Sequence, residues 1–439
     1  MRPAAQKGRT APATHAPGAW PTARLLLLFM VVNFADKAVL GLAGPRIMDD
    51  LGLDRSRFGS AQAAFFALFS LSAIGVSLLT RRIRTTVLLL AMALAWSAAQ
   101  LPMLWPTAGL GMLIATRVLL GAAEGPAAPV AAHHLYGWFA QRDRTLPTAV
   151  LLVGAAAGVA LAAPVLTWVI AVWGWRWAFG TVGLAGLAWA VVWAVRGREG
   201  PLAPPVGGPA DGTGPDTADP GPPLRRILLT PSVLAAGFAC FAVYWQISAQ
   251  LTWVPDYLHT VLGWSAGATS LAVAAGSLAN AAVLLTHGLL ARAATARGGR
   301  RPGRLPAGSG AGLLMLAAAC AVGVFVAGPA WLKLPMMCGP MALSAVMMTV
   351  GQTACARIAP AHRRGAALGV VVGLSSVGGV VSPVVLGRIV DGAPAAAVGY
   401  ERAWLLTAAL LALAGLLAAL FLRPERDAYR LGVPAEEAP

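Results

Sequence analysis

Long runs of apolar residues, separated by short polar segments, make up most of this chain. Twelve runs are about 20 residues long, the length that an α-helix needs to cross a bilayer, whereas transmembrane β-strands are about half as long. The pattern therefore predicts an all-α polytopic membrane protein with twelve transmembrane helices. The predicted spans are 25–45, 58–80, 85–105, 110–139, 147–172, 177–195, 230–253, 265–291, 305–327, 331–356, 365–390 and 403–422.

A segment rich in Gly, Pro and Asp divides these spans into two sets of six. It cannot bury a core, so it is expected to be a flexible cytoplasmic linker. The expected organisation is a disordered cytoplasmic tail over 1–24, an N-terminal six-helix bundle over 25–195, the linker over 196–229, a C-terminal six-helix bundle over 230–422, and a cytoplasmic tail over 423–439.

An internal repeat supports two pseudo-symmetric bundles. Residues 151–170 (LLVGAAAGVALAAPVLTWVI) align without gaps on residues 370–389 (VVVGLSSVGGVVSPVVLGRI). The alignment matches a glycine and a proline in each copy, and its offset of half the chain is what duplicated halves produce. The prolines predict bends at equivalent depths in the two helices.

The basic residues predict the orientation. The chain has 33 Lys and Arg residues and a net charge of +16, but only 11% of its residues are charged. If the spans are as predicted, 24 of the 33 lie at the termini and in alternate loops on the same side. This bias predicts cytoplasmic termini, and we expect a bacterial inner membrane. The basic excess thus reflects topology, and no nucleic-acid partner is expected.

The sequence disfavours several other classes of protein. The four cysteines lie in apolar runs without metal-ligand spacing, so buried thiols are expected rather than a metal site or disulfides. Walker A needs a lysine in a Gly-rich loop, and none of Lys7, Lys37 and Lys333 has that setting. The spans carry no catalytic constellation. We expect neither an enzyme nor a cofactor.

Four charged residues lie deep within the predicted spans: Asp36, Lys37, Arg117 and Glu124. Ionisable groups at membrane depth are costly and mark functional sites. Asn33, Asp36 and Lys37 have the spacing of one helix face, and Arg117 and Glu124, seven residues apart, share another. The pattern predicts one polar cluster of two acids and two bases. The alternative is that these are ion pairs that only fix helix packing.

Several segments resemble the major facilitator superfamily, and within it the anion:cation symporter branch. NFADKAVLGLAGPRIMDDLGL (33–53) and RVLLGAAEGPAAP (117–129) resemble the first and fourth helices of that branch. GWRWAF (174–179) and HRRGAALGVVVGLSSVGGVVSPVVLG (362–387) resemble the entry to its sixth helix and its eleventh helix.

The resemblance implies roles for individual residues. Asp36 and Glu124 would be the proton-coupling carboxylates, Arg117 their charge partner, and Lys37 the cation that faces the substrate's carboxylate. Further substrate-binding candidates, with helix packing as the alternative, are Asn33, Gln246, Ser375 and Ser376.

Two departures from the family pattern concern residues with predicted roles. Arg is usual at position 37, and Lys37 offers a point charge in place of a bidentate fork. The gating loop after the second helix keeps Arg81 and Arg82 but has Leu79 and Thr80 where the family has an acid.

The expected function is secondary active transport of a small organic anion, coupled to protons by alternating access. The alternative is a proton-driven exporter of hydrophobic or cationic compounds on the same fold. The expected partners are the substrate, protons and the lipid bilayer, and we expect a monomer.

Overall fold

The computed structural model describes residues 16–79, 82–140, 143–203, 222–296, 304–326 and 330–433. Ten helical segments in these ranges are long and apolar enough to cross a membrane. The helices are α1 (Ala19–Leu51), α2 (Arg55–Leu79), α3 (Thr85–Gln100), α4 (Leu110–Glu124), α5 (Ala127–Tyr136), α6 (Thr145–Trp173), α7 (Trp175–Arg196), α8 (Leu224–Leu228), α9 (Pro231–Thr260), α10 (Ala266–Ala296), α11 (Arg304–Val326), α12 (Ala330–Ile358), α13 (Ala361–Ser375), α14 (Val377–Asp391), α15 (Ala396–Phe421) and α16 (Pro424–Arg430), with a 3₁₀ turn at Leu101–Leu104.

Two predicted spans each consist of two consecutive α-helices. Span 110–139 consists of α4 and α5, which are separated at Gly125 and Pro126, and span 365–390 consists of α13 and α14, which are separated at Ser376. Gly125 packs against the backbone of Phe69, leaving no room for a side chain, and Pro126 has no N–H to donate. Gly125 itself keeps helical dihedral angles and bonds to the Gly121 carbonyl, so the interruption begins at Pro126.

The boundaries of the predicted tails and linker also differ in detail. Helix α1 begins at Ala19, six residues before the expected boundary, and residues 1–15 lie outside the described ranges. The linker contains the short helix α8, while 204–221 are not described. In the expected C-terminal tail, α16 packs on the start of α9, where Asp427 accepts a hydrogen bond of 3.0 Å from the Ser232 N–H.

Glycines allow equivalent helix pairs to pack closely in the two halves. In the first half, Gly154 of α6 lies against the backbone of Leu27 in α1. In the second half, Gly378 of α14 lies against the backbone of Phe241 in α9. The fifth span thus packs on the first, and the eleventh span packs on the seventh, as a duplicated six-helix unit requires.

The two halves meet through close backbone contacts. Gly41 of α1 packs on the Leu251 carbonyl of α9, and Gly59 of α2 packs on Pro383 of α14. In both places a methyl group would overlap the neighbouring backbone. Small residues at such positions let the backbones of membrane helices approach.

Polar contacts join the halves at the end of the molecule where α2 begins. The Arg55 Nε donates to Asp256 Oδ2 at 2.7 Å, and the Tyr400 hydroxyl donates to the same carboxylate oxygen. The backbone N–H groups of Arg55 and Ser56 donate to Asp391 at 3.3 and 2.8 Å. We call Arg55, Asp256, Asp391 and Tyr400 the cross-bundle polar contact.

At the opposite end, Glu199 caps the first turn of α3. Its carboxylate accepts hydrogen bonds from the Thr86 N–H at 2.8 Å and from the hydroxyls of Thr85 and Thr86, both at 2.9 Å. Partial burial raises the pKa of Glu199, but the lowering effect of these hydrogen bonds is larger. The pKa of Glu199 therefore lies below its usual value. Glu199 thereby fixes the chain that leaves α7 to the start of α3.

Candidate functional site

Asp36 and Lys37 project from α1 in different directions. Adjacent residues on an α-helix point about 100° apart, so the two side chains reach different neighbours. Asp36 is fully buried, whereas 12% of the Lys37 side chain is exposed. The spacing predicts that Asn33, Asp36 and Lys37 share one helix face, but Asp36 and Lys37 contact side chains of different helices.

Lys37 of α1 pairs with Glu124 of α4. Its Nζ lies 2.6 Å from Glu124 Oε2, and it also donates to Asn33 Oδ1 at 2.7 Å and to the Asn33 carbonyl at 3.3 Å. The ammonium group also lies 4.4 Å from the centre of the Phe34 ring. All three donors of Lys37 therefore have acceptors.

Asp36 is linked to Arg117 through an amide from α3. Gln100 Nε2 donates to Asp36 Oδ1 at 2.9 Å, and its Oε1 accepts from Arg117 Nη2 at 3.4 Å. The guanidinium carbon of Arg117 lies 4.9 Å from the centre of the Phe179 ring. Gln100 and Arg117 are both buried. The pairing expected from the helix faces, Arg117 with Glu124, is thus replaced by contacts between helices.

Four buried polar atoms of this cluster have no hydrogen-bond partner within the described ranges: Asn33 Nδ2, Asp36 Oδ2, Arg117 Nε and Glu124 Oε1. Buried polar atoms are normally paired. The two carboxylate oxygens can therefore still accept a proton or a hydrogen bond, and the two nitrogens can still donate to a water or a ligand. In this state both acids keep one free oxygen.

The candidates in the second half have neutral partners. Gln246 is fully buried in α9, where its Nε2 donates to Gln250 Oε1 at 3.0 Å and its Oε1 is free of partners among the residues described. Ser375 Oγ donates to the Gly237 carbonyl at 3.0 Å, and Ser376 Oγ donates to the Gly373 carbonyl at 2.8 Å. The two serine hydroxyls are thus bonded to backbone carbonyls, and their role in substrate binding stays a prediction.

The gating loop is described only in part. Arg82 is exposed in the turn between α2 and α3, while Arg81 lies outside the described residues. The role predicted for this pair therefore stays a prediction.

Sequence reasoning missed two sets of residues. Gln100 carried a usable signal, since an amide side chain inside an apolar run is itself a polar group at membrane depth. The cross-bundle polar contact carried a weaker one, because Arg55 and Asp256 are 201 residues apart and lie near helix ends. Polar residues near helix ends are ordinary, and only the fold shows that they meet.

The fold is that of solved transporters. A bacterial homologue of the human lysosomal transporter Spinster, crystallised inward-facing and unoccupied, superposes with a TM-score of 0.74 at 17% identity, over 94% of this chain and 98% of the other. A D-xylose–proton symporter superposes with a TM-score of 0.72 at 15% identity, over 94% and 99% of the two chains. At such identities the likeness concerns the fold alone.

Curated relatives are also transporters. A D-galactonate transporter of Escherichia coli is 25% identical over 55% of this chain, and a hexuronate transporter of Bacillus subtilis is 28% identical over 57%. These matches span 60% and 59% of the relatives' own lengths. A probable sulfoacetate transporter of Cupriavidus necator is 25% identical, over 91% of this chain and 93% of its own.

The sequence profile of the Major Facilitator Superfamily matches residues 26–383, which is most of the chain. The predicted fold is confirmed, since the solved transporters that this chain superposes on have twelve helices in two bundles. Both fold and relatives are those of transporters, which are not enzymes. The chain belongs to the Major Facilitator Superfamily.

Proposed function

We propose that this protein transports a small organic anion across the membrane and couples that transport to protons by alternating access. The observation that carries the proposal is the pair of partly buried Lys37 with fully buried Glu124, in which every lysine donor already has an acceptor. The relatives named for galactonate, hexuronate and sulfoacetate support an anionic substrate, since all three carry a carboxylate.

The Lys37–Glu124 pair supplies a competition between proton and substrate. A substrate carboxylate that binds Lys37 must take the place of an acceptor already there. Protonation of Glu124 removes its negative charge and weakens its hold on the ammonium, since charge-assisted hydrogen bonds are about twice as strong as neutral ones. A proton on Glu124 therefore frees Lys37 for the anion, and departure of the proton releases the anion.

Asp36 is the second proposed proton site. It is fully buried and accepts a hydrogen bond from the Gln100 amide. Gln100 lies between Asp36 and Arg117, so the carboxylate and the guanidinium are not in direct contact. A desolvated carboxylate without a cation in contact is costly, and protonation removes that cost. Movement of α3 or α4 that brings Arg117 into contact would favour the charged form again. Arg117 thus sets the proton affinity of Asp36.

The proposal includes the setting of the protein. The basic bias of the terminal side supports cytoplasmic termini, and we place the protein in a bacterial inner membrane, acting as a monomer. With that orientation, the cross-bundle polar contact closes the outer end.

Transport in proteoliposomes tests the function directly. The wild type, given radiolabelled D-galactonate or sulfoacetate and an imposed pH gradient, is expected to accumulate at least one of them. Glu124→Gln mimics the protonated acid, so it should retain exchange of that substrate across the membrane but lose accumulation driven by the gradient. Asp36→Asn should behave in the same way.

A matched control is Glu401→Gln, which makes the same chemical change at an exposed residue of α15. It should accumulate substrate as the wild type does. If Glu124→Gln and Asp36→Asn also accumulate substrate normally, proton coupling through these acids is wrong.

A further inference from the structure

A cavity of about 480 Å³ lies at the end of the molecule that carries the chain termini. It opens where α1 begins and α7 ends, and Trp138, which follows α5, closes one side. Among its lining residues are three arginines, Arg24, Arg196 and Arg198, together with Trp138 and Val195. It is far along α1 from the charged cluster, so it is a separate site.

The charge of this cavity is unbalanced. Its ten lining residues include three arginines and no acid. All three arginines are exposed, and none forms an ion pair within the part of the chain that the structure describes. Three unneutralised guanidinium groups around one cavity favour an anion, and guanidinium forks match phosphate oxygens well.

The walls of the cavity are held in place by the fold. Trp189 of α7 donates its indole N–H to the Leu25 carbonyl of α1 at 2.8 Å, which fixes the two helices side by side. Gly18 has a φ of 91° and packs against the Trp138 ring, so a side chain there would be strained. Trp138 is buried, and its indole N–H is without a partner in the described ranges.

Apolar surface continues from the cavity toward the middle of the membrane. Leu28 follows Arg24 by one helical turn on α1 and is 50% exposed, while Val191 and Val195 on α7 are 65% and 76% exposed. In a membrane helix, such residues face acyl chains. The arginines at the boundary and the apolar strip beneath them match the two parts of a phospholipid.

We propose that this cavity binds the phosphate headgroup of an anionic glycerophospholipid, with an acyl chain along Leu28, Val191 and Val195. Basic pockets between transmembrane helices at this level are suited to anionic headgroups. A soluble phosphate would use the arginines alone, whereas a lipid would also use the apolar strip. The lipid site would tie α1 to α7 within the first bundle, independently of the transported substrate.

Native mass spectrometry of the delipidated full-length protein tests the site, with phosphatidylglycerol and phosphatidylcholine of matched acyl chains as probes. The wild type should retain phosphatidylglycerol at far lower lipid concentration than phosphatidylcholine. Each arginine near the surface contributes roughly a fivefold preference for anionic lipid. The triple variant Arg24→Gln, Arg196→Gln, Arg198→Gln should therefore lose affinity for phosphatidylglycerol by about 100-fold.

The matched control removes three arginines elsewhere at the same end: Arg225→Gln, Arg226→Gln and Arg430→Gln, all exposed. It should bind phosphatidylglycerol within about twofold of the wild type, since it leaves the cavity intact. Equal losses in the two triple variants would show a general charge effect and overturn the site. Equal binding of the two lipids by the wild type would overturn it as well.

Two further measurements distinguish a bound lipid from a bound soluble anion. Inorganic phosphate and the acyl-free headgroup glycerophosphoglycerol should displace the lipid only at concentrations at least about 100-fold higher, because neither buries apolar surface. Leu28→Gln should weaken phosphatidylglycerol binding while leaving inorganic phosphate binding unchanged. If the acyl-free headgroup binds as tightly as the lipid, the occupant is a soluble anion and the lipid proposal is wrong.

Discussion

Helices α1 and α9 occupy equivalent places in the two halves, but the polar residues near the middle of each helix differ in kind. Helix α1 carries Asn33, Asp36 and Lys37, with charged groups that contact other charged or amide side chains. Helix α9 carries Gln246 and Gln250, which bond to each other and to backbone. Near the middle of these helices, therefore, one half carries charge and the other carries neutral amides. The buried acid of α9, Asp256, lies near the end of that helix, in the cross-bundle polar contact.

The largest expected effect is on substrate affinity. Lys37→Ala should weaken binding of the transported anion by about 100-fold or more, because it removes a cation and leaves Glu124 buried without its partner. Gln246→Ala should weaken it by about 10-fold at most, the range of a neutral hydrogen bond. Equilibrium binding of the substrate found in the transport assay measures both.

Lys37→Arg is the control, because it keeps the positive charge and should bind within about tenfold of the wild type. If Lys37→Ala and Gln246→Ala weaken substrate binding equally, the proposed difference between the two halves is wrong.

The second largest effect concerns the boundary between the halves. Arg55→Gln removes a charged hydrogen bond to buried Asp256, so the end closed by the cross-bundle polar contact should open more often, by about 10- to 100-fold. Spin labels at Asp49 and Arg402, in a variant without the four native cysteines, report this as a larger population of long distances.

Arg57→Gln makes the same charge change next to it. Arg57 pairs at 3.7 Å with Asp54 of its own bundle and is well exposed. Arg57→Gln should leave the distribution of spin-label distances as it is in the wild type. If Arg55→Gln also gives the wild-type distribution, the cross-bundle polar contact does not hold this end closed.

A smaller effect is expected at the bridging amides. Gln100→Leu should lower the free energy of unfolding by about 2 kcal/mol, because Gln100 bonds to two charged groups, and Gln250→Leu should lower it by about 1 kcal/mol. Thermal unfolding in detergent compares them. If Gln100 positions Asp36 and Arg117, Gln100→Leu should also shift the pH dependence of transport, which Gln250→Leu should not do.

The smallest effect is at Glu199. Its pKa is lowered by folding, so its stabilising contribution is present above the unfolded-state value of about 4.5 and is lost as pH falls through the folded value. Glu199→Gln should remove that dependence and about 1 kcal/mol of capping energy at neutral pH. Unfolding temperatures measured from pH 7 to pH 3 give the comparison, and parallel curves for wild type and variant would contradict the prediction.

The sequence predicts the helices and which charged residues lie at membrane depth, but not which of these residues pair. Hydrophobic length alone locates the spans, and the cost of buried charge singles out Asp36, Lys37, Arg117 and Glu124. Pairing of Lys37 with Glu124 depends on the rotation of two helices about their axes, which spacing within one helix does not determine. The close approach of Gly125 to the Phe69 carbonyl is likewise a contact between distant residues, which the apolar pattern does not show.

The charged cluster also has an electrical consequence. With both acids ionised, Asp36, Glu124, Lys37 and Arg117 sum to zero, so a rearrangement of the empty site across the membrane carries no net charge. The membrane potential, worth about 2.3 kcal/mol per elementary charge per 100 mV, would then act only on what is bound. A monoanion that travels with one proton is insensitive to voltage, and each additional proton would make uptake respond to it.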